Sequence, residues 1–319
     1  MIDGATATIA EQVREARNAR TPLRIVGRGG WLDAGAPVSA TNALDVGQLR
    51  GLVEYEPGDL VLTAQSGTSL DEIAAATNAH GQWVPLDPFG TNDGSLGATI
   101  ATASFGPLAT AYGTPRDHVL GARIVTGAGE TINVGGRVVK NVAGFDLTRL
   151  STGAWGTLGV FTQVTVRVRA LPARDRSIAI ELADTPGAVD AAWHWLRNTP
   201  HAPLAAELVD PARASALGLR ARTVMLLRVG GNDAAVRAAV DDALQVGPAD
   251  ELPAQIWTRL RAGEPRGVTV RASTLPSRIE SLWARCRDAV SPWDGTLCAS
   301  LPRGVVRCAM PPGNDAEVV

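Results

Sequence analysis

A chain of 319 residues with 45% apolar side chains is long enough for one large or two medium domains with buried cores. Its 30 basic and 32 acidic side chains leave a net charge of −2, which argues against nucleic acid or an anionic membrane surface as a partner. No apolar run approaches the roughly 20 residues of a membrane helix, so no transmembrane segment is expected. Met1-Ile2-Asp3-Gly4 lacks the basic and apolar regions of a signal peptide. The three cysteines, Cys286, Cys298 and Cys308, are odd in number and widely spaced, which fits a reducing cytoplasm and supplies no zinc or iron–sulfur pattern.

Residues 5–19 place Ile9, Val13 and Ala16 at helical spacing, and Pro22 to Val26 reads as a short buried strand. That strand empties into Gly27-Arg28-Gly29-Gly30-Trp31. Such a glycine run can turn backbone N–H groups toward an anion, and it also suits an ordinary turn. The dinucleotide fingerprint fails here, because its third glycine would fall at Leu32. Two strands, Leu52 to Tyr55 and Leu60 to Ala64, flank the turn Glu56-Pro57-Gly58-Asp59. Ser69-Leu70-Asp71-Glu72 is a capping box opening a helix that ends between Asn78 and Gly81. Pro85 to Gly90 reads as a rigid loop.

The second glycine cluster, Gly94-Ser95-Leu96-Gly97-Ala98-Thr99, continues through Ser104 and Gly106 with small residues at almost every position. A loop entering a short helix here would aim N–H groups and a positive dipole end at a phosphate. A tight helix contact would use the same residues. Ala111 to His118 leads into a strand from Val119 to Thr126, which turns back through 127–130 into Thr131 to Val134. His118 at the strand start reads as structural, and Arg116 and Asp117 read equally as a local ion pair or as ligand contacts.

Gly135 to Pro172 is the stretch that organises the chain. Its glycines at 144, 153, 156 and 159 precede an alternation of Val164, Val166 and Val168 with Thr165 and Arg167, the period of a strand. A glycine cluster running straight into a strand lets main chain lie against a flat or charged group. Lys140 is the one lysine against 29 arginines, and its compact ammonium is something a guanidinium fork does not imitate.

Beyond Pro172 the glycine clusters stop and short strands alternate with helices. The boundary near 172–176 divides the chain into domains 1–174 and 175–319. Strands at Ile178 to Leu182, Val224 to Val229 and Val268 to Arg271 each precede a helix, near 188–197, 234–244 and 278–289. A last strand lies within Thr296 to Met310, and the tail from Pro311 is expected to be disordered. His194, between Trp193 and Trp195 on a helix, reads as a packed or interface residue. No Ser/His/Asp set, metal-spaced cluster or paired carboxylates stands out, so no catalytic residue is assigned.

In this order the motifs resemble the FAD-binding domain of the vanillyl-alcohol-oxidase-type flavoproteins, the PCMH-type fold. Gly27 to Gly30, Gly94 to Ala98, Tyr112-Gly113 and Gly156 to Val160 carry the resemblance. Within that family, Arg137 to Leu147, Pro85 to Pro88 and the short C-terminal domain resemble the FAD-binding subunits of bacterial glycolate oxidases. The resemblance implies an α+β protein, with a PCMH-type FAD-binding domain of two α/β subdomains followed by a small α+β C-terminal domain. It implies pyrophosphate contacts from Gly27, Arg28, Gly29, Gly30 and Trp31 and from Gly94, Ser95, Gly97 and Ala98, with Thr99 beside them in the cofactor-binding set. Ser104 and Gly106 would lie near the flavin ring, and Gly156, Gly159 and Val160 would meet the ribose or adenine. Pro88, Gly113, Asp117 and Lys140 complete the implied cofactor set.

Relatives that hold FAD covalently use a His or Cys in the first loop. Arg28 and Trp31 stand in that loop here, so non-covalent FAD is implied. The implied role is that of an FAD-binding subunit of a complex oxidising 2-hydroxy acids. A sister flavin subunit would hold the base, and an iron–sulfur subunit would accept electrons, in the cytoplasm or at the inner membrane through these partners. The alternatives are a self-sufficient FAD-dependent 2-hydroxy-acid dehydrogenase and a flavin-free assembly subunit.

Overall fold

The computed structural model describes residues 4–35, 38–40, 42–136, 146–262 and 267–312. The chain divides into two compact units, Met1–Gly106 with Gly113–Leu171, and Pro107–Tyr112 with Pro172–Val319.

The first unit opens with α1 (Gly4–Asn18), whose Ile9, Ala10 and Val13 form one buried stripe. β1 (Leu23–Val26) pairs in parallel with β2 (Asn42–Asp45), Leu23 opposite Asn42. The sequence Asn42-Ala43-Leu44-Asp45 carries no strand pattern. Only Leu44 is buried, and it packs with Val46, Leu49 and the α1 stripe, so tertiary contact makes this strand. There follow β3 (Leu52–Glu56), β4 (Val61–Gln65), α2 (Leu70–Asn78), β5 (Gln82–Trp83), α3 (Leu96–Thr102), α4 (Ala109–Tyr112), α5 (Pro115–His118), β6 (Val119–Val125), β7 (Thr131–Gly135), α6 (Leu147–Ser151), β8 (Val160–Arg167) and β9 (Arg169–Ala170). Of these, α4 belongs to the second unit.

The main sheet of the first unit runs β3-β4-β8-β6-β7, every neighbour antiparallel. Val164 and Val166 on β8 are fully buried against Leu62, Ile124, Ile73 of α2 and Leu96 and Ile100 of α3. On the other face of β8, Thr165 meets Thr63 of β4 through a 2.8 Å hydroxyl pair. β8 thus bears out the alternation read from the sequence, and it begins earlier, at Val160.

The capping box is present in full. Ser69 Oγ accepts from the Glu72 N–H at 3.1 Å, and the Ser69 N–H donates to the Glu72 carboxylate at 2.8 Å. The bond from the Ser69 N–H holds the Glu72 carboxyl below its usual 4.5, with Arg28 and Arg50 adding to the effect. A lowered carboxyl contributes stability above its unfolded pKa and loses that contribution as pH falls through the folded value. Glu72→Ala is therefore expected to cost about 1 kcal/mol at neutral pH. The gap should close below pH 4.5, and melting curves at pH 7 and 3.5 check this.

The second unit adds β10 (Arg174–Glu181), α7 (Ala188–Asn198), β11 (Ala205–Val209), α8 (Pro211–Ala216), β12 (Val224–Gly231), α9 (Asp233–Ala243), β13 (Ala249–Leu252), α10 (Gln255–Ala262), β14 (Val268–Ser273), α11 (Ile279–Val290), β15 (Thr296–Ser300) and β16 (Val305–Met310). Its seven-stranded antiparallel sheet runs β13-β10-β12-β11-β15-β16-β14. One face is covered by α7, α9 and α11, which bury Trp193, Val236, Ala239, Ile279 and Trp283 against Ile180, Met225, Leu208, Leu297 and Val306. The expected single strand within 296–310 is two strands. A 3-10 turn at Leu301–Arg303 and Gly304 at φ +64° fold it into a hairpin. Among the described residues, no helix is long and apolar enough to cross a membrane, and no His/Cys/Asp/Glu group could hold a metal ion.

Candidate functional site

The loop after β1 is the richest source of unused donors. Among the described residues, the backbone N–H groups of Gly27, Arg28, Gly29, Gly30 and Trp31 donate to no acceptor in the chain. Gly29 takes φ +83°, which bends the run back on itself. Successive N–H groups in such a turn converge on an anion. The exposed Arg28 adds a positive charge beside them.

This loop is seated by a seam of glycines drawn from four separate segments. A Cβ on Gly27 would stand 3.0 Å from Ser95 Oγ and 4.0 Å from Ala98 Cβ, so the first two glycine clusters are in contact. A Cβ on Gly47 would meet the Gly27 carbonyl at 2.6 Å. One on Gly67 would meet the carbonyls of Val46, Leu49 and Gly47 at 2.7 to 2.9 Å. One on Gly97 would meet Ser66 Cβ at 2.6 Å and its carbonyl at 2.8 Å. Backbone bonds lock the seam, from Val46 N–H to Val26 at 2.8 Å, Gly67 N–H to Leu49 at 2.7 Å and Gly97 N–H to Ser66 at 2.7 Å. Gly47 and Gly67 stand alone in the sequence and escaped notice there. The carbonyls they meet lie 18 to 21 residues away, and nothing local marks them.

The start of α3 differs from the expectation of a phosphate-facing helix end. Leu96 and Gly97 give their N–H groups to the Thr68 and Ser66 carbonyls, and Ala98 gives its own to Ser95 Oγ at 3.3 Å. Thr99 turns its hydroxyl to the Ser95 carbonyl at 3.0 Å, and the Gly94 carbonyl accepts from Leu70. Gly94, Ser95, Gly97, Ala98 and Thr99 thus support the 27–31 loop, which holds the donors.

The third cluster closes the other side. Gly153 and Trp155 donate to Ile100 and Ala101 at the end of α3, at 3.0 and 2.9 Å. Gly156, at φ +77°, leaves 2.5 Å between its would-be Cβ and Ile25 Cδ1 on β1, and Gly159 lies against Ile124 and the Val125 carbonyl. The Trp155 indole stands edge-on to Trp31, centroids 5.7 Å apart. Beside them opens a cleft of about 320 Å³ lined by Leu23, Ile25, Leu44, Val125, Gly156, Gly159 and the buried Val160. Arg17, Thr21, Thr126 and Thr157 also line it, so its walls mix apolar and polar groups.

Other residues singled out in the sequence sit apart from this loop. Ser104 is buried at the far end of α3, its N–H on the Thr99 carbonyl at 3.1 Å. Gly106 lies so close against Asp87, the neighbour of Pro88, that a Cβ there would collide with the Asp87 carbonyl. Gly113, at φ +85°, packs on Asp117. The Asp117 carboxylate accepts from the Thr114 N–H at 2.8 Å and its hydroxyl at 3.0 Å. Burial pushes that carboxyl up, and the two bonds from Thr114 outweigh it and hold it below the usual value. Lys140 lies outside the described residues. His118 is buried where α5 meets β6. His194 lies exposed on α7, 3.6 Å from Asp190 and edge-on to Trp193.

Residues 4–135 match the FAD binding domain family. The chain is 35% identical over 255 residues to the glycolate oxidase subunit GlcE of Escherichia coli, covering 79% of this chain and 67% of that protein. It is 31% identical over 160 residues to the glycolate oxidase subunit GlcD of Bacillus subtilis, covering 50% of this chain and 34% of that one. It therefore spans about a third of the latter. The fold is shared with p-cresol methylhydroxylase at a TM-score of 0.75 and 12% identity, over 96% of this chain and 73% of that one.

Proposed function

We propose that this chain, which belongs to the PCMH-type FAD-binding oxidoreductases, is the flavin-holding subunit of a complex that oxidises 2-hydroxy acids. The observation that carries the reading is the set of five unused N–H groups from Gly27 to Trp31, braced against Ser95 by the glycine seam. A diphosphate presents several charged oxygens to such a nest and gains charge-assisted bonds there. The residues present therefore fit FAD. Gly27 to Trp31 would hold its pyrophosphate, with Arg28 supplying countercharge. The backbone at Gly156, Gly159 and Val160 and the cleft beside Ile25 would take its adenosine end. Pro88, Ser104 and Gly106, at the far end of α3, would flank the ring, and the Lys140 ammonium would supply positive charge to the flavin or its phosphates.

FAD, when bound, supplies the two-electron acceptor, and this chain's groups bind, orient and exclude water. The 27–31 loop contains neither His nor Cys, which supports a non-covalent attachment. The similarity to a protein named as an oxidase subunit supports the place in a complex. The partners would be a second flavin subunit carrying the base and an iron–sulfur subunit taking the electrons.

The test is an absorbance spectrum of the purified chain before and after acid precipitation. Flavin bands that move wholly to the supernatant are the expected result. Bands that stay with the pellet would end the non-covalent reading, and a chain that stays colourless in excess FAD would end the cofactor assignment. Turnover of glycolate by the isolated chain with an artificial acceptor would replace the subunit role with a self-sufficient dehydrogenase.

A further inference from the structure

Among the described residues, five other than glycine have positive φ, and four of them close a helix or a 3-10 turn. Leu60, Ala103 and Asp294 are C-caps, and Arg20 follows α1 with its N–H on the Arg17 carbonyl at 3.1 Å. Trp155, at φ +53°, has no such place. It is the first central residue of the turn Ala154-Trp155-Gly156-Thr157, closed by the Thr157 N–H on the Ala154 carbonyl at 2.9 Å. Gly156, the second central residue, also has positive φ, at +77°. Turns with two such residues favour Asn-Gly or Asp-Gly, and a bulky aromatic in the first position is strained.

Strain of this kind persists where the surroundings impose it, and it gathers at ligand clamps. Two contacts impose it here. The Trp155 N–H donates to the Ala101 carbonyl of α3 at 2.9 Å. The Trp155 side chain, half exposed to solvent, stands edge-on to Trp31 with centroids 5.7 Å apart. Edge-to-face rings attract through their quadrupoles. The two indoles belong to the two halves of the proposed cofactor site. Trp31 ends the loop of unused N–H groups, and Gly156, the residue after Trp155, lines the cleft beside Ile25. The ring pair therefore joins loop to turn through side chains alone.

We infer that the Trp31–Trp155 pair is a latch that slows the release of FAD. The inference rests on the FAD reading above and adds two positioning residues to it. With the rings in contact, the 27–31 loop and the 154–157 turn are held together, and a dinucleotide bound by both leaves only when they part. Once the rings separate, the strain at Trp155 favours the open turn.

The experiment follows FAD dissociation by flavin fluorescence after dilution of the loaded full chain, beside the melting temperature of the flavin-free chain. The variants are Trp155→Ala, Trp155→Asn, Trp155→Phe, Trp31→Ala and the double variant Trp31→Ala/Trp155→Ala. Loss of either indole is expected to speed release about three- to tenfold, in Trp155→Ala, Trp155→Asn and Trp31→Ala alike. The double variant should be no faster than the single ones, because the pair acts as a unit. Trp155→Phe keeps a ring and should stay within about twofold of wild type. Melting should rank differently, with Trp155→Asn about 2–4 °C above Trp155→Ala, because asparagine suits the turn. A merely structural tryptophan would make release follow melting, with Trp155→Asn slower to release than Trp155→Ala, and that order would overturn the latch. Wild-type release from all the variants, or single effects that multiply in the double variant, would overturn it too. Those results, from a wild type that binds flavin, remove the latch alone. A wild type that stays colourless in excess FAD removes the cofactor reading and the latch with it.

Discussion

Gly97→Ala is expected to destabilise the first unit by about 2 kcal/mol and to weaken FAD binding more than tenfold, although alanine is the better helix former by about 1 kcal/mol. The new Cβ would stand 2.6 Å from Ser66 Cβ and 2.8 Å from the Ser66 carbonyl. Ser66 has no freedom to retreat, because its N–H is bound to Thr162 of β8 at 3.0 Å and its carbonyl accepts from Gly97 itself. α3 must therefore move. It carries Ser95 away from Gly27 and loosens the loop whose N–H groups face the diphosphate. Calorimetry and a flavin fluorescence titration measure the two effects, with a melting point about 4–8 °C lower expected. A variant that melts no lower than wild type and keeps its full flavin content would show that the seam does not hold the loop.

Asp210→Ala is expected to cost the second unit about 3 kcal/mol. Asp210 Oδ1 caps α8 by accepting the Arg213 N–H at 2.7 Å, and Oδ2 accepts the Leu297 N–H of β15 at 3.0 Å. Truncation removes the cap, worth about 1 kcal/mol, and leaves the N–H of the fully buried Leu297 without its acceptor. Asp210→Asn should recover the cap alone, since its amide would turn a donor toward Leu297. Burial pushes the Asp210 carboxyl above its usual 3.8, against the pull of the Arg213 and Leu297 donors. A raised acid contributes most below its unfolded pKa and loses that contribution as pH rises through the folded value. The advantage of wild type over Asp210→Asn should therefore widen toward pH 3.8. A gap that stays flat with pH in chemical denaturation would refute this account.

Local and periodic features were legible in the sequence. The Ser69–Glu72 capping box needs three residues of context, and the β8 alternation needs five, so both could be read from the chain alone. The glycine clusters showed where backbone would be approached closely, and their order showed the family. Features set by distant neighbours were not legible. Ala205-Ala206-Glu207-Leu208-Val209 has no strand alternation, yet it is β11, buried along its whole length between β12 and β15. Gly47 and Gly67 are ordinary single glycines until the carbonyls of Gly27, Val46 and Leu49 are placed against them. The juxtaposition of Arg271 and Arg307 exists only once register is fixed, and no count of arginines would disclose it.

The six residues Pro107–Tyr112 are part of the second unit although the chain on both sides of them builds the first. α4 packs on β11, and the Arg303 guanidinium donates to the Ala109 carbonyl at 3.2 Å. During synthesis this hexapeptide leaves the ribosome long before β11 or Arg303 exists. Leu108 and Ala109, buried in the finished protein, have nothing to pack on through that interval. A chain stopped at Leu171 lacks those partners throughout and is expected to be cut by a protease within Pro107–Tyr112 faster than the full chain. The stretch Gly113–Leu171 separates these six residues from the rest of their unit, so translation must run nearly to its end before the second unit is complete.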